Sequence, residues 1–337
     1  QRAYRIADNQ LALNAGWDEE ALGQELQALI DEAFELNLLG FTEQELKRLS
    51  ACPALQTGLT EEDAAPELAQ VAVSRRGDLW QLDQHRVLCG DATSDESMEQ
   101  LMAAEEAAMT FTDPPYNVQY QARSRQGVSR PIANDNLGSD FEMFLYQVCR
   151  SIVGRTSGAI YMFMSSSELH TLYRAFTRAG GHYSTFLIWA KSHFTLGRSD
   201  YQRQYEPILY GWRQGATRFW CGARDQGDVW CFPKPAVNDL HPTMKPVALI
   251  EQALVNSSRE QELVLDPFGG SGSTLMACQK TGRQGRVIEI DPLYVDVMVR
   301  RWQAFTGREA VLEADGRTFA AVAAERERAV EAVQEAA

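Results

Sequence analysis

The tetrapeptide Asp113-Pro-Pro-Tyr116 directly follows a short apolar stretch, Met109–Thr112, and its residue types suit chemistry on an amino group. Two consecutive prolines fix φ and remove two backbone donors, so the preceding carbonyl groups are free to accept hydrogen bonds. With the Asp113 carboxylate, the segment offers two acceptors to the two N–H donors of an exocyclic amino group. Holding both hydrogens draws the nitrogen lone pair out of conjugation and aims it at a methyl donor.

Tyr116 adds an aromatic face on which an extruded base could stack, as enzymes that modify bases require. Transfer would be a direct in-line displacement without a covalent enzyme intermediate, so positioning supplies much of the catalysis. For the tetrapeptide alone, a proline-rich turn with a capping aspartate is an open alternative.

A glycine loop, Asp266-Pro-Phe-Gly-Gly-Ser-Gly-Ser-Thr274, lies between a predicted strand and a predicted helix. Glycines there permit a tight turn and a close approach of a ligand to the backbone. Glu289 ends the next predicted strand, where nucleotide-binding α/β folds place a carboxylate that binds ribose hydroxyls. The loop has neither GxGxxG nor GKS/GKT, and Asp266 would repel a phosphate but suit an ammonium group. The loop therefore favours S-adenosylmethionine over NAD or ATP, with a purely structural turn as the alternative.

From Gly77 onward, predicted strands alternate with predicted helices, which indicates an α/β fold with a largely parallel sheet. The predicted strands are residues 86–91, 109–112, 158–164, 184–189, 262–266 and 285–289, and the clearest predicted helices are residues 167–179 and 274–280. Residues 1–50 show apolar positions at helical spacing, residues 51–70 resemble a linker, and the tail from Phe319 is predicted to form a surface helix.

The net charge of −14 is distributed unevenly along the 337 residues. Residues 1–70 hold 4 Lys/Arg against 14 Asp/Glu, whereas residues 117–240 hold 14 against 9. Because phosphate binding needs a local basic surface rather than a basic chain, the middle third is where nucleic acid is expected. By charge alone, an ordinary solvated surface is the alternative.

No apolar run is long enough to span a membrane, and the N-terminal residues do not resemble a signal peptide. None of the six cysteines forms a CxxC pair, so reduced, mostly buried thiols and no metal site are expected. These features predict a cytoplasmic protein without a membrane partner.

Three motifs together resemble the β class of amino-DNA methyltransferases: the Asp113–Tyr116 tetrapeptide, the 266–274 loop and His241-Pro-Thr-Met-Lys-Pro246. The catalytic tetrapeptide precedes the cofactor loop in that class, as it does here, and the resemblance covers residues 77–310. It implies a Rossmann-like fold with a mostly parallel seven-stranded sheet, helices on both faces and a circularly permuted motif order. It also implies transfer from S-adenosylmethionine, with S-adenosylhomocysteine as product.

The resemblance assigns roles residue by residue. The predicted catalytic residues are Asp113, Pro114, Pro115 and Tyr116. The predicted cofactor-binding residues are Asp91, Asp113, Thr243, Lys245, Asp266, Pro267, Phe268, Gly269, Gly270, Ser271, Gly272, Ser273, Thr274, Glu289 and Ile290. Phe268 is expected to pack on the cofactor, Asp91 to bind its adenine amino group, and Thr243 and Lys245 to contact its carboxylate. The family often has Ala where Gly269 stands, and Asp291 is expected to cap a helix rather than bind ribose.

Members with Asp before Pro-Pro-Tyr are mostly adenine-N6 enzymes, so the resemblance implies methylation of adenine in double-stranded DNA by base flipping. Transfer to cytosine N4, or to an amino group of RNA or protein, is the alternative. A cofactor-binding regulator and a dehydrogenase are weaker ones. Methylation at cytosine C5 is disfavoured because the chain has no Pro-Cys dipeptide to supply a nucleophile.

The target-recognition region is expected at residues 191–240, where basic residues alternate with aromatic ones. The candidate DNA contacts are Arg123, Arg125, Lys191, Arg198 and Arg203. Residues 117–140 are predicted to form a mobile loop, and part of Pro207–Tyr210 is expected in the core. Residues 1–50 resemble the end of a ParB-like domain of phage-type methyltransferases. The predicted domains are residues 1–70 (this remnant and a linker), 71–320 (methyltransferase) and 321–337 (helical tail). The candidate partners are a second copy of the chain, in a homodimer, and a cognate restriction enzyme. The expected source is a bacterium or a phage.

Overall fold

The computed structural model describes residues 29, 58–119, 121–123, 129–195, 200–222, 225–233 and 244–335. The chain divides into two units, residues 1–56 and 57–337, and the second is described here. The helices predicted within residues 1–50 fall, with the exception of residue 29, outside the described residues.

A ten-stranded sheet occupies the centre of the described unit, in the order β12-β1-β2-β11-β10-β3-β6-β8-β7-β9. Its strands are β1 (Leu79–Leu82), β2 (His85–Cys89), β3 (Met109–Thr112), β6 (Ala159–Phe163), β7 (Gly181–Thr195), β8 (Arg203–Arg213), β9 (Val229–Cys231), β10 (Leu263–Asp266), β11 (Gln284–Glu289) and β12 (Val311–Leu312). A separate two-stranded ribbon consists of β4 (Gln121–Arg123) and β5 (Ser129–Pro131).

The helices of the same residues are α1 (Asp95–Met102), α2 (Phe141–Arg155), α3 (Leu169–Arg178), α4 (Val247–Ser257), α5 (Ser273–Lys280), α6 (Pro292–Thr306) and α7 (Phe319–Glu335). Asp291 is the N-cap of α6, where its carboxylate accepts a hydrogen bond from the backbone N–H of Leu293 and Pro292 follows at the first helical position. The predicted capping role of Asp291 is therefore confirmed. The surface helix predicted for the tail corresponds to α7.

The five strands β2, β11, β10, β3 and β6 run parallel, and β8 lies antiparallel between β6 and β7. These seven strands are the predicted mostly parallel methyltransferase sheet. Strands β1 and β12 extend it at one edge and β9 at the other, which the sequence did not indicate. Strands β3 and β10 are neighbours although the chain enters them more than 150 residues apart, so the tetrapeptide and the glycine loop meet at one sheet edge.

Alternate residues of the central strands enter separate cores on the two faces of the sheet. Val264 of β10 packs with residues of α4, α5 and α6, whereas the adjacent Leu265 packs with Met98 and Leu101 of α1. Likewise Tyr161 of β6 lies in the first core, and Ile160 packs with α2 and α3 in a third cluster. Strand side chains point to opposite faces in turn, so burial on both sides confirms the predicted layer of helices on each face.

A long hairpin, β7–β8, extends beyond the core at the edge where β6 ends. Ile208 and Leu209 are fully buried against β6, as expected for the Pro207–Tyr210 segment, whereas Phe194 and Tyr201 near the tip are exposed. The predicted strand 184–189 is therefore only the central part of β7, in which Leu187 and Trp189 are buried. Of the five cysteines in the described residues, all free thiols, Cys89, Cys149 and Cys278 are buried. None of the helices in the described residues is both long and apolar enough to cross a bilayer.

Candidate active site

The glycine loop connects the end of β10 to the start of α5, and two of its glycines have backbone conformations that only glycine adopts easily. Gly270 has φ +51° and Gly272 has φ +87°, and Gly272 is the N-cap of α5. Ser273, the first residue of that helix, donates a hydrogen bond of 2.8 Å through its hydroxyl to the carbonyl of Lys245. The loop is thereby tied to the segment that carries the predicted 241–246 motif.

Asp266 anchors this loop from the end of β10. Its Oδ1 accepts hydrogen bonds from the hydroxyl of Thr112 on β3, at 2.7 Å, and from the backbone N–H of Phe268, at 3.0 Å. Burial raises the pKa of the Asp266 carboxyl to about 6, although hydrogen bonds from Thr274 and Thr112 oppose the shift. The side chain thus joins the two strand ends that carry the tetrapeptide and the glycine loop.

Glu289 lies at the end of β11 and also orders the loop. Its Oε2 accepts from the backbone N–H of Gly270 and its Oε1 accepts from that of Asp291, both at 2.8 Å. Burial raises the pKa of Glu289 to about 7. Each carboxylate oxygen has a further lone pair, so Glu289 can still accept hydrogen bonds from the hydroxyls of a ligand.

Gly269 has no room for a side chain. A Cβ at this position would lie 2.3 Å from Cγ1 of Val287 and 2.9 Å from Sδ of Met298. The structure therefore gives a reason why this chain has Gly where the family often has Ala: Val287 of β11 occupies the space that a methyl group would need.

Gly269→Ala is expected to destabilise the protein by about 1–3 kcal/mol and to weaken cofactor binding, because the loop must shift away from Val287. Urea unfolding and cofactor titration measure the two effects. Gly269→Ala combined with Val287→Ala should recover cofactor affinity, since the second change removes the atom that is approached most closely. A Gly269→Ala protein with unchanged stability and affinity would show that the loop does not depend on this contact.

The tetrapeptide begins one residue after β3 ends, and its carboxylate lies between two donors. Asp113 Oδ1 accepts a hydrogen bond of 2.5 Å from the Tyr116 hydroxyl, and Oδ2 accepts one from Nζ of Lys245. The Asp113 side chain retains about a quarter of its exposure. Since each oxygen has two lone pairs, Asp113 can accept further hydrogen bonds from a substrate.

Lys245 also contacts a second acid that the sequence did not reveal. Its Nζ lies 3.2 Å from Oε2 of Glu206 on β8, and Glu206 in turn pairs with Nζ of Lys191 on β7 at 2.5 Å. The Tyr116 hydroxyl lies within 3.2 Å of the same Glu206 oxygen. Two carboxylates, two ammonium groups and one phenol therefore form a single hydrogen-bonded cluster, called the acid–lysine cluster below: Asp113, Tyr116, Lys191, Glu206 and Lys245.

The cluster perturbs the acidity of its members. Burial raises the pKa of Asp113, and Glu206 adds to this while Lys245 opposes it. Burial also acts to raise the pKa of Glu206, but Lys245 and Lys191 outweigh it and hold that pKa at about 2. Burial and both carboxylates raise the pKa of Tyr116 well above its usual value, so the phenol remains a donor. Asp113 is thus the better proton acceptor of the two acids, because Glu206 has two ammonium partners and Asp113 has one.

A further acid, Asp135, fixes the backbone that follows the tetrapeptide. It is buried, and its Oδ1 accepts from the backbone N–H of Tyr116 at 2.9 Å and of Val118 at 3.3 Å. The side chain of Asn117 accepts from the N–H groups of Leu137 and Gly138. Asp135, Leu137 and Gly138 are therefore tied to the tetrapeptide and to the two residues that follow it.

The other predicted site residues have varied surroundings. Asp91, at the end of β2, accepts from the backbone N–H and the hydroxyl of Thr93. Phe268 is partly buried beside Phe144 of α2, with ring centroids 6.1 Å apart. The Arg203 guanidinium reaches the Ser165 hydroxyl at 3.4 Å, and Arg123 lies in β4. Thr243, Arg125 and Arg198, with His241, lie outside the described residues.

The carboxyl ends of β2, β3, β10 and β11 bring Asp91, Asp113, Asp266 and Glu289 to one sheet edge beside the glycine loop. This acidic edge suits a ligand that carries hydroxyls, amino groups and positive charge, and it would repel a pyrophosphate. S-adenosylmethionine, with its ribose hydroxyls, ammonium and sulfonium, fits these residues. No group of three or more His, Cys, Asp or Glu side chains arranged to hold a metal ion occurs in the part of the chain that the structure describes.

The parallel sheet, the glycine loop and the adjoining Asp-Pro-Pro-Tyr segment define the class as a methyltransferase of amino groups. Residues 107–300 match the N6/N4 methyltransferase family model, described as DNA methylase, and residues 20–76 match the ParB-methyltransferase HTH domain. The first match covers more than half of the chain, which therefore belongs to this family of DNA methylases. The predicted enzyme class, the S-adenosylmethionine cofactor and the ParB-like segment are confirmed.

Two curated relatives are similar over most of their length. Type II methyltransferase M.HpaI of Haemophilus parainfluenzae is 26% identical over 264 residues, which cover 69% of this chain and 78% of that protein. DNA adenine methyltransferase YhdJ of Escherichia coli (strain K12) is 25% identical over 247 residues, which cover 64% of this chain and 81% of that protein.

Two solved structures show the same fold. The M1.HpyAVI–SAM complex superposes with a TM-score of 0.50 at 20% identity, covering 64% of this chain and 97% of that chain. The cytosine-N4-specific PvuII DNA methyltransferase superposes with a TM-score of 0.50 at 15% identity, covering 69% and 89%. These likenesses confirm the predicted Rossmann-like methyltransferase fold.

Proposed function

We propose that this enzyme transfers a methyl group from S-adenosylmethionine to N6 of adenine in double-stranded DNA, after the base has left the helix. The observation that carries the proposal is the position of Asp113, at the end of β3, immediately beside the glycine loop at the end of β10. The adenine assignment is supported by the Asp of the tetrapeptide and by the name of the relative YhdJ, a DNA adenine methyltransferase.

In this proposal the acidic sheet edge holds the cofactor, which supplies a methyl group on a positively charged sulfur. Glu289 binds the ribose hydroxyls, and its hydrogen bond to the N–H of Gly270 keeps the loop open for them. Asp91 binds the adenine amino group, and Asp266 holds the Pro267–Thr274 loop in shape. Because the Lys245 ammonium pairs with Asp113 and Glu206, we assign this side chain to the acid–lysine cluster. The contact with the carboxylate of the cofactor is then assigned to Thr243 alone.

The residues of the tetrapeptide are proposed to bind the flipped base. Asp113 and the carbonyl groups next to Pro114 and Pro115 accept the two hydrogens of the amino group, and the ring of Tyr116 stacks on the base. Asp135 holds the Tyr116 backbone and thereby the direction of this ring. Because the amino group and the methyl donor are held in one geometry, the barrier falls mainly through orientation.

DNA outside the flipped base is expected to contact the 191–240 region and the β4–β5 ribbon. Arg203, Arg123, Arg125 and Arg198 remain candidates for phosphate contacts. Lys191 is assigned differently, because its ion pair with Glu206 places it in the acid–lysine cluster.

The proposed organisation keeps a ParB-like segment and linker in residues 1–70, the catalytic domain in residues 71–320 and a helical tail in residues 321–337. Matches to type II enzymes make a cognate restriction enzyme and a bacterial or phage-borne cytoplasmic setting part of this proposal. A homodimer is proposed with them.

A competition between polymers tests the proposed substrate. The protein is incubated with methyl-labelled S-adenosylmethionine and equal masses of unmethylated double-stranded DNA, RNA and protein, and each polymer is isolated and counted. Label is expected in DNA alone. An Asp135→Asn protein serves as the matched control, since it keeps the shape of the site but weakens the hold on Tyr116 and should label DNA more slowly. Label in RNA or protein would contradict the DNA assignment.

A further inference from the structure

The position of Glu206 gives it contacts with both groups that hydrogen-bond Asp113. The hydroxyl of Tyr116 and Nζ of Lys245 each lie 3.2 Å from Oε2 of Glu206, and each also donates to the Asp113 carboxylate. Glu206 therefore contributes to holding the Tyr116 hydroxyl and the Lys245 ammonium beside Asp113.

Lys191 holds Glu206 in this position from the neighbouring strand. The two side chains pair at 2.5 Å, and both are largely buried, with exposed fractions of 13% for Lys191 and 20% for Glu206. Trp189, two residues before Lys191, lies opposite Glu206 in the pairing of β7 with β8, and the register shifts after Ala190. The pair is therefore part of the sheet edge and not an ion pair between two solvated side chains, which would be worth little.

The charges of the acid–lysine cluster balance, with two carboxylates against two ammonium groups. Asp266 is a further acid that interacts electrostatically with Asp113, and it is held by Thr112 and the loop. Removing one charge from the cluster must change how strongly Asp113 attracts a proton, because these groups are close together and poorly solvated.

Methylation of an amino group requires a proton acceptor. As the bond from nitrogen to the methyl carbon forms and the bond from that carbon to sulfur breaks, the sulfur takes the bonding pair and the nitrogen becomes positively charged. One N–H bond must then break, its electron pair remaining on nitrogen, and the proton needs an acceptor within hydrogen-bond reach.

We propose that Glu206 is a positioning residue for this reaction, which orients Tyr116 and Lys245 around Asp113 and keeps Asp113 basic enough to take the proton. The inference rests on the proposed transfer to an exocyclic amino group and holds for adenine N6 and cytosine N4 alike. Lys191 acts through Glu206, with which it pairs, and neither residue is required to touch the reacting atoms.

The opposite charges of Glu206 and Lys191 make the proposal testable with two variants that each remove one charge and keep a polar side chain. Glu206→Gln leaves two ammonium groups near Asp113, so the pKa of Asp113 falls, whereas Lys191→Gln leaves two carboxylates and raises it. Single-turnover rates on DNA are measured from acidic to alkaline pH, and the acid limb is the part of this profile where the rate falls as Asp113 becomes protonated. The acid limb should move to lower pH for Glu206→Gln and to higher pH for Lys191→Gln. Glu206→Gln should also lower the plateau rate by about tenfold or more, with cofactor affinity nearly unchanged.

The double variant Glu206→Gln/Lys191→Gln separates electrostatic positioning from simple structural support. Its cluster holds one carboxylate and one ammonium, so its acid limb should return toward that of the unchanged protein. The inference would be overturned if the acid limb moved in the same direction for both single variants. It would also be overturned if the acid limb of the double variant moved further than that of either single variant. If Glu206→Gln does not fold, the pH–rate profile of Lys191→Gln alone decides. An acid limb that does not move in this variant would refute the positioning role of the pair. Failure of the proposed function is recognised separately, because the unchanged protein would then methylate no DNA amino group.

Discussion

Replacing Asp113 by alanine is expected to slow methyl transfer by about a thousandfold or more, while the affinity for S-adenosylmethionine changes little. The carboxylate is one of the two proposed acceptors for the amino group and also its proposed proton acceptor, so its loss removes orientation and proton transfer together. The cofactor loop does not depend on it, because Asp266 is held by Thr112 and Phe268. Single-turnover kinetics and cofactor titration measure the two quantities.

Asp113→Asn is the matched control for this prediction. The amide keeps the shape and one acceptor oxygen, so it should bind the base better than Ala, but it cannot take a proton at neutral pH and should remain severely slowed. Thermal unfolding of both variants controls for folding, since Lys245 keeps Glu206 as a partner. Equal losses of cofactor affinity and transfer rate would contradict the catalytic assignment of Asp113.

Replacing Glu289 by alanine is expected to weaken S-adenosylmethionine binding by about ten- to a hundredfold, with the transfer rate at saturating cofactor reduced far less. The variant loses the proposed ribose acceptor, and it also releases the N–H groups of Gly270 and Asp291. Isothermal titration with the cofactor gives the affinity directly.

Asp291→Asn provides the control two residues further along. Asn caps helices about as well as Asp, so this variant should keep both stability and cofactor affinity if Asp291 is only the cap of α6. An unchanged cofactor affinity for Glu289→Ala would refute the ribose assignment. A large loss for Asp291→Asn would show that Asp291 also binds the cofactor.

The central parallel strands could be predicted from the sequence because they are buried on both faces. Met109–Thr112 is a short buried run bounded by Asp113-Pro-Pro, and the structure ends β3 at the predicted residue. Leu263–Asp266 is similarly bounded by the glycine loop. Both predicted motifs follow such strands, which is why their meeting at one sheet edge could be anticipated.

The hairpin that supplies Glu206 and Lys191 could not be predicted in the same way. Beyond Ala190, β7 continues through Lys191–Thr195, which is polar except for the exposed Phe194. The pairing with β8 is irregular between Ala190 and Thr195, which lies opposite Arg203. The local pattern therefore has no periodic apolar signal. A charged residue directly before a buried run, as in Glu206-Pro-Ile-Leu209, is the one available sign, and it becomes informative only when β8 is known to run antiparallel.

The partner of Lys245 illustrates a second limit of sequence reasoning. The motif predicted that Lys245 contacts the carboxylate of the cofactor. In the structure its carbonyl accepts a hydrogen bond from Ser273 of the glycine loop, whereas its ammonium group pairs with Asp113 and Glu206, which lie far from it in the chain. Asp135, which holds the Tyr116 backbone, was missed because it lies in a polar segment without a motif. Both contacts depend on tertiary structure that local spacing does not encode.

The most direct test of the proposed function is the identity of the methylated nucleoside. The protein is incubated with S-adenosylmethionine and unmethylated genomic DNA, and the DNA is digested to nucleosides for mass spectrometry, with Asp113→Ala as the inactive control. N6-methyladenine is expected from the unchanged protein and none from the control. N4-methylcytosine in its place, or no methylated nucleoside from folded protein that binds the cofactor, would contradict the proposed function.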